Sequence, residues 1–184
     1  MAEEEPPAKK AKPTGWEDHK LNISEAVMKA DEGKFLSELS KAPISTIQGI
    51  GPKSETILTA MGLKTVEDLA TYKFFLMSRA LATLAETEVK DDRPSGSVMN
   101  VDKAVDKEYE PKTLTEIVEA PISALEGLTE NAEELLKEFG VKSVGDLATW
   151  KYCRWAEAIV EAAKYEEIQT KGERKTAAAL KKLA

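Results

Sequence analysis

Cysteine and histidine are nearly missing from this chain: Cys153 and His19 are each the only residue of their kind. A lone cysteine excludes an intramolecular disulfide and every multi-cysteine metal site. A lone histidine leaves zinc coordination and Cys-His chemistry without their usual ligands. Cys153 is therefore expected as a small buried hydrophobe and His19 as a solvated residue. Aromatic residues amount to only 6%, and no apolar run approaches the roughly 18 residues of a membrane span. The opening Met1-Ala2-Glu3-Glu4-Glu5 has neither the basic nor the apolar region of a signal peptide, so the expectation is an intracellular chain that neither crosses nor binds a membrane. Strand-type alternation is missing as well. So are a nucleotide phosphate loop, a nucleophile paired with a base, and carboxylates in an apolar setting. No enzyme, no cofactor and no metal is expected.

What remains is 184 residues, 42% of them hydrophobic and 32% charged, with a net charge of −7. That length suits one domain or two small ones, and the acidic balance repels a polyanion except where basic residues cluster. Residues 1–20 read as a disordered tail whose cluster Lys9, Lys10 and Lys12 is similar to a short nuclear import signal. Trp16 stands in that polar tail with no local core to join, so it either clips onto a folded unit or meets a partner. Ile23, Ala26, Val27 and Ala30 recur at helical spacing and predict a short helix ended by Gly33. Residues 90–111, with Arg93-Pro94-Ser95-Gly96, read as a flexible linker. The end, 168–184, is basic, with Thr176 as the expected cap of a last helix.

The centre of the chain is a repeat. Residues 34–89 align without a gap on 112–167 at an offset of 78. Ala42-Pro43-Ile44-Ser45 returns as Ala120-Pro121-Ile122-Ser123, Gly62 as Gly140, and Asp68-Leu69-Ala70-Thr71 as Asp146-Leu147-Ala148-Thr149. Each copy predicts a short helix stopped by its proline, a tight hairpin, a helix ended by glycine, and a third segment capped by Thr65 or Ser143. Phe74, Met77, Leu81 and Leu84, with Tyr152, Trp155, Ile159 and Ala162, form the expected inward stripe. The expected fold is all-α: two tandem helical units related by internal duplication, the first over 21–89 and the second over 112–167.

Within the first unit, Ile47-Gln48-Gly49-Ile50-Gly51-Pro52-Lys53 and the run to Leu69 resemble the helix-hairpin-helix motif, of the SAM-like helical superfamily found in DNA repair and replication proteins. The resemblance covers 39–70. It implies a hairpin at Gly49, Ile50 and Gly51 whose N–H groups face a nucleic-acid phosphate, with charge from Lys53 and flanking Lys64. The second copy departs from the pattern: Gly127-Leu128-Thr129-Glu130-Asn131 has lost the proline and lysine and carries a carboxylate. The copies share a shape more than a phosphate site. The leading expectation is a non-enzymatic binding module or adaptor for a protein partner, with Tyr72 and Trp150 as corner residues that either pack or contact it. The alternative is a DNA-associated protein that clamps backbone phosphate through the first hairpin.

Overall fold

The computed structural model describes residues 22–89, 92–97, 101, 103–169 and 171–182. The tail 1–20, with Lys9, Lys10, Lys12, Trp16 and His19, lies outside the described residues. Among these residues the regular elements are helices, and no strand forms. A first set comprises α1 (Leu36–Lys41), a turn of 3-10 helix at Ile44–Thr46, α2 (Pro52–Ala60), α3 (Val66–Ala70) and α4 (Lys73–Ala85). A second comprises α5 (Leu114–Glu119), a 3-10 turn at Ile122–Ala124, α6 (Glu130–Lys137), α7 (Val144–Ala148) and α8 (Lys151–Ala163). Every element of the second set starts 78 residues after its counterpart in the first. A last helix, α9, spans Lys171–Lys181, with Thr176 inside it rather than at its cap; the Thr176 hydroxyl donates to the Gly172 carbonyl.

Local chemistry sets the boundaries. Ala42 and Ala120 are extended, with ψ of 158° and 157°, because a following proline excludes the helical region. Thr65 Oγ1 accepts the Asp68 N–H at 3.1 Å while the Asp68 carboxylate accepts the Thr65 N–H at 2.8 Å. Ser143 and Asp146 repeat this reciprocal cap at 3.0 and 2.9 Å. Burial works to raise the Asp68 carboxyl, yet the N–H groups of Lys64 and Thr65 outweigh it and hold the group below the usual carboxylate range. At Asp146 the Lys142 N–H leads the same lowering.

The two sets interlock. α4 packs against α5 and α7, and α8 packs against α1 and α3. Each long helix thus completes the other set's core. Arg79 and Glu157, themselves 78 positions apart, pair side chain to side chain. A residue that meets its own counterpart lies on the axis of an approximate two-fold relation. Two carboxylates close the arrangement. Glu166, just past α8, accepts the Leu36 and Ser37 N–H groups at 2.8 and 3.0 Å and the Ser37 hydroxyl at 2.9 Å. Glu88, just past α4, does the same for Leu114, Thr115 and the Thr115 hydroxyl at 2.9, 3.0 and 2.8 Å. Each caps the opening helix of the opposite set. The Thr115 N–H leads the bonds that hold the Glu88 carboxyl below its ordinary range.

Three expectations change. Residues 22–33 form turns, not a helix, because their backbone pairs elsewhere. Met28 N–H donates to the Thr46 carbonyl and Gln48 N–H to the Ala26 carbonyl, seating fully buried Val27 beside Ile47. The described part of 101–111 is no spacer either. Asp106 N–H donates to Ala124 and Glu126 N–H to Ala104, with Val105 buried beside Leu125 in the same bridge. The inward stripe is also rotated: Phe74, Phe75, Ser78 and Leu81 are buried on α4 and Cys153, Ala156 and Ile159 on α8, while Leu84 is 54% exposed. A helix wedged between two neighbours buries a face centred between them.

Ser78 is the one polar residue of that buried set, and its Oγ has no hydrogen-bond partner. A buried hydroxyl without a partner carries its desolvation cost uncompensated. Its counterpart, Ala156, is also fully buried. Ser78→Ala is expected to stabilise the chain by about 1 kcal/mol, read as a Tm rise of roughly 2–4 °C by calorimetry.

Candidate interaction surfaces

Gly49 takes a φ of +93°, the left-handed region that favours glycine, and is exposed, while Ile50 tucks into the core at 3% exposure. Gly51 is the N-cap of α2, and Pro52 opens that helix. No side chain caps this N-terminus. In the second set, by contrast, Thr129 Oγ1 accepts the Ala132 N–H at 3.2 Å. The first hairpin thus presents helix N–H groups that no side chain covers, and the second covers its own.

The predicted charges do not converge. Lys53 is strongly exposed, and its Nζ lies 3.0 Å from the carboxylate of Glu138, the C-cap residue of α6. An exposed pair of this kind contributes about 0–1 kcal/mol. Lys64 lies past the far end of α2, whose nine residues put about 13 Å of helix between that end and Gly51. Lys53 shares the hairpin with Gly49, Ile50 and Gly51; Lys64 does not.

Tyr152 of α8 closes on the hairpin, its hydroxyl donating to the Gly49 carbonyl at 3.3 Å. It belongs to a chain of edge-to-face rings, Phe139–Trp150, Trp150–Tyr152 and Tyr152–Trp155, with centroids 5.3, 5.7 and 6.2 Å apart. Lys151 Nζ stands 5.0 Å from the Tyr152 ring and 5.4 Å from that of Trp155. A Cβ on Gly49 would meet the Tyr152 hydroxyl at 3.0 Å, whereas one on Gly51, at φ −83°, would meet nothing within 4 Å. Gly49→Ala is expected to destabilise the chain by at least about 1–2 kcal/mol in urea denaturation, and Gly51→Ala to leave it nearly unchanged. Of the hairpin's two glycines, only the first is required by its backbone.

Both corner residues pack against neighbouring rings. Trp150 is buried at 6% exposure beneath Phe139 and Tyr152, so it offers a partner no face. Tyr72 is half-buried with its ring edge against Phe74, and burial, with Cys153 nearby, pushes its hydroxyl far up. Burial likewise raises the Cys153 thiol, an inert core group. Sequence reasoning missed Tyr152 as the link between α8 and the first hairpin; the clustering of Trp150, Tyr152 and Trp155 was the available signal. It also missed a groove of about 630 Å³ between the 22–26 turn, the start of α1 and α8. Ile23, Ala26, Leu36, Trp155, Ile159 and Ala162 supply its apolar lining, and Asn22, Ser24 and Glu25 its polar part.

No family model, curated protein or solved structure matches this chain. Among the described residues no helix is long and apolar enough to cross a membrane, and no three acidic, histidine or cysteine side chains group as metal ligands.

Proposed function

We propose that this chain is a non-enzymatic binding module, built by duplication of one helix-hairpin-helix-like unit, that recognises a protein partner through the groove between the 22–26 turn and α8. The observation that carries this reading is the groove itself, an open concavity lined mainly by aliphatic and aromatic side chains with a few polar groups at one side. Recognition sites have this composition, with a central apolar or aromatic anchor to fill. The partner reading keeps the chain inside the cell, with nuclear import through Lys9, Lys10 and Lys12 as an accompanying expectation.

A second reading has its own support. The uncapped N-terminus of α2, with Lys53 in its first turn, suits a backbone phosphate of DNA. One hairpin contacts few phosphates, so binding of this kind is weak and strongly salt-dependent. Partner capture by the full chain at roughly 50 and 200 mM salt, beside a duplex-DNA titration, separates the two. The groove reading expects a protein retained at both salts, lost in Ala158→Arg and kept in Lys53→Glu. DNA affinity that falls steeply with salt and disappears in Lys53→Glu would overturn it in favour of the phosphate clamp.

A further inference from the structure

The groove opens where the described chain begins, since Asn22, Ser24 and Glu25 form part of its wall. Asn22, the first described residue, thus stands at its edge. Trp16 is the only aromatic residue ahead of Phe35 and stands six positions before Asn22. Six residues of extended chain span about 20 Å, enough to turn back along the groove. An indole also suits the lining, with its apolar body against Trp155, Ile159 and Ala162 and its N–H toward the carboxylate of Glu25.

The second half of the molecule shows what an entering segment does. There, Arg93 donates to the carbonyls of Ser97 and Glu110 at 3.0 and 3.2 Å, and to that of Lys112, so residues 92–97 are held back against their own unit. Subtracting the offset of 78 places Gly15 at the position of Arg93 and Trp16 at that of Pro94. Gly15 has no side chain to make the Arg93 clamp. The neighbouring tryptophan is the one residue of that segment with the apolar surface to hold it.

We propose that residues 14–20 of the chain itself occupy the groove, anchored by Trp16, so that a partner must displace them to bind. This rests on the groove being the recognition site. Occupation by a tethered segment lowers the apparent affinity of any competitor, because the effective concentration of the tether is of millimolar order.

The test uses the full chain. The difference in fluorescence between it and Trp16→Phe isolates the Trp16 emission, to be compared with a synthetic peptide of residues 10–21. The expected spectrum is blue-shifted from that of the free peptide, and returns to it in Ala158→Arg, where an exposed groove position receives a long charged side chain. Circular dichroism confirms that this variant keeps its helices. The labelled peptide is expected to bind Trp16→Ala at least about tenfold more tightly than the intact chain, whose tethered copy competes. A Trp16 spectrum identical to the free peptide and indifferent to Ala158→Arg, or equal peptide affinity for both chains, overturns the proposal. If Ala158→Arg still abolishes partner capture in that case, the groove remains a recognition site without its plug. If Trp16 docks and Ala158→Arg leaves capture intact, the docking of residues 14–20 stands, but the groove reading falls and with it the competition between that segment and a partner.

Discussion

A chain divided between Ser97 and Val98 is expected to yield two halves that do not fold apart and that reassemble, one to one, when mixed. The interlock is the reason. Phe75 and Leu81 of α4 lie in the interior that α5 and α7 complete, and Cys153, Ala156 and Ile159 of α8 in the interior that α1 and α3 complete. Burying one large apolar side chain contributes about 1.5–3 kcal/mol. Losing three or four of them, together with the Glu88 and Glu166 caps, is comparable with the whole of the roughly 5–15 kcal/mol by which a domain is stable. Each isolated half should show weak helical circular dichroism and no cooperative unfolding, and the mixture should recover both. Light scattering decides the remaining possibility: a half that folds as a pair of identical copies would show that its long helix accepts its own unit in place of the other.

Much of the local structure was legible because it depends on short-range backbone chemistry. Proline at 43 and 121, glycine at 62 and 140, and the pairs Thr65 with Asp68 and Ser143 with Asp146 punctuate the chain where the helices stop and start. The interlock was not legible. An apolar helix face is satisfied equally by its own unit or by a neighbour, and periodicity carries no information about which. The capping carboxylates were hidden for a related reason: Glu166 stands in a charged run that reads as surface, and only its match to Glu88 at an offset of 78, beside hydroxyls at Ser37 and Thr115, marks it. Residues 101–111 read as linker because their composition is charged and poor in apolar residues. Extended upstream, the repeat sets Ile23 and Val27 against Val101 and Val105, whose bridge to Leu125 repeats that of Val27 to Ile47. For the surfaces, a sequence shows that Trp150 is aromatic but not that Phe139 and Tyr152 cover it. The groove is a property of three separated segments and has no local signal.

Phe75→Ala is expected to be the most damaging single substitution considered, and Leu84→Ala close to silent, an order that periodicity alone reverses. Counting from Phe74 in steps of three and four reaches Leu84 and skips Phe75. Yet Phe75 is fully buried and Leu84 is 54% exposed. The stripe rule assumes one partner surface, whereas α4 is enclosed by α5 and α7 together, which widens its buried face toward Phe75 and Ser78. Truncating a buried phenylalanine to alanine removes its transfer free energy and leaves a cavity, about 3–5 kcal/mol in all. An exposed leucine loses little, within about 0.5 kcal/mol. Because the Arg79 side chain also stands over the Phe75 ring, 5.5 Å from its centroid, and reaches Glu157 from there, the cavity should loosen the pairing at the two-fold axis. Urea unfolding of the two variants beside Arg79→Ala measures this. A Phe75→Ala loss no larger than that of Leu84→Ala would mean that α4 does not lie between α5 and α7 in solution. A loss of the expected size, with Arg79→Ala costing less in the Phe75→Ala background than alone, would establish the ring as the support on which the axial ion pair is held.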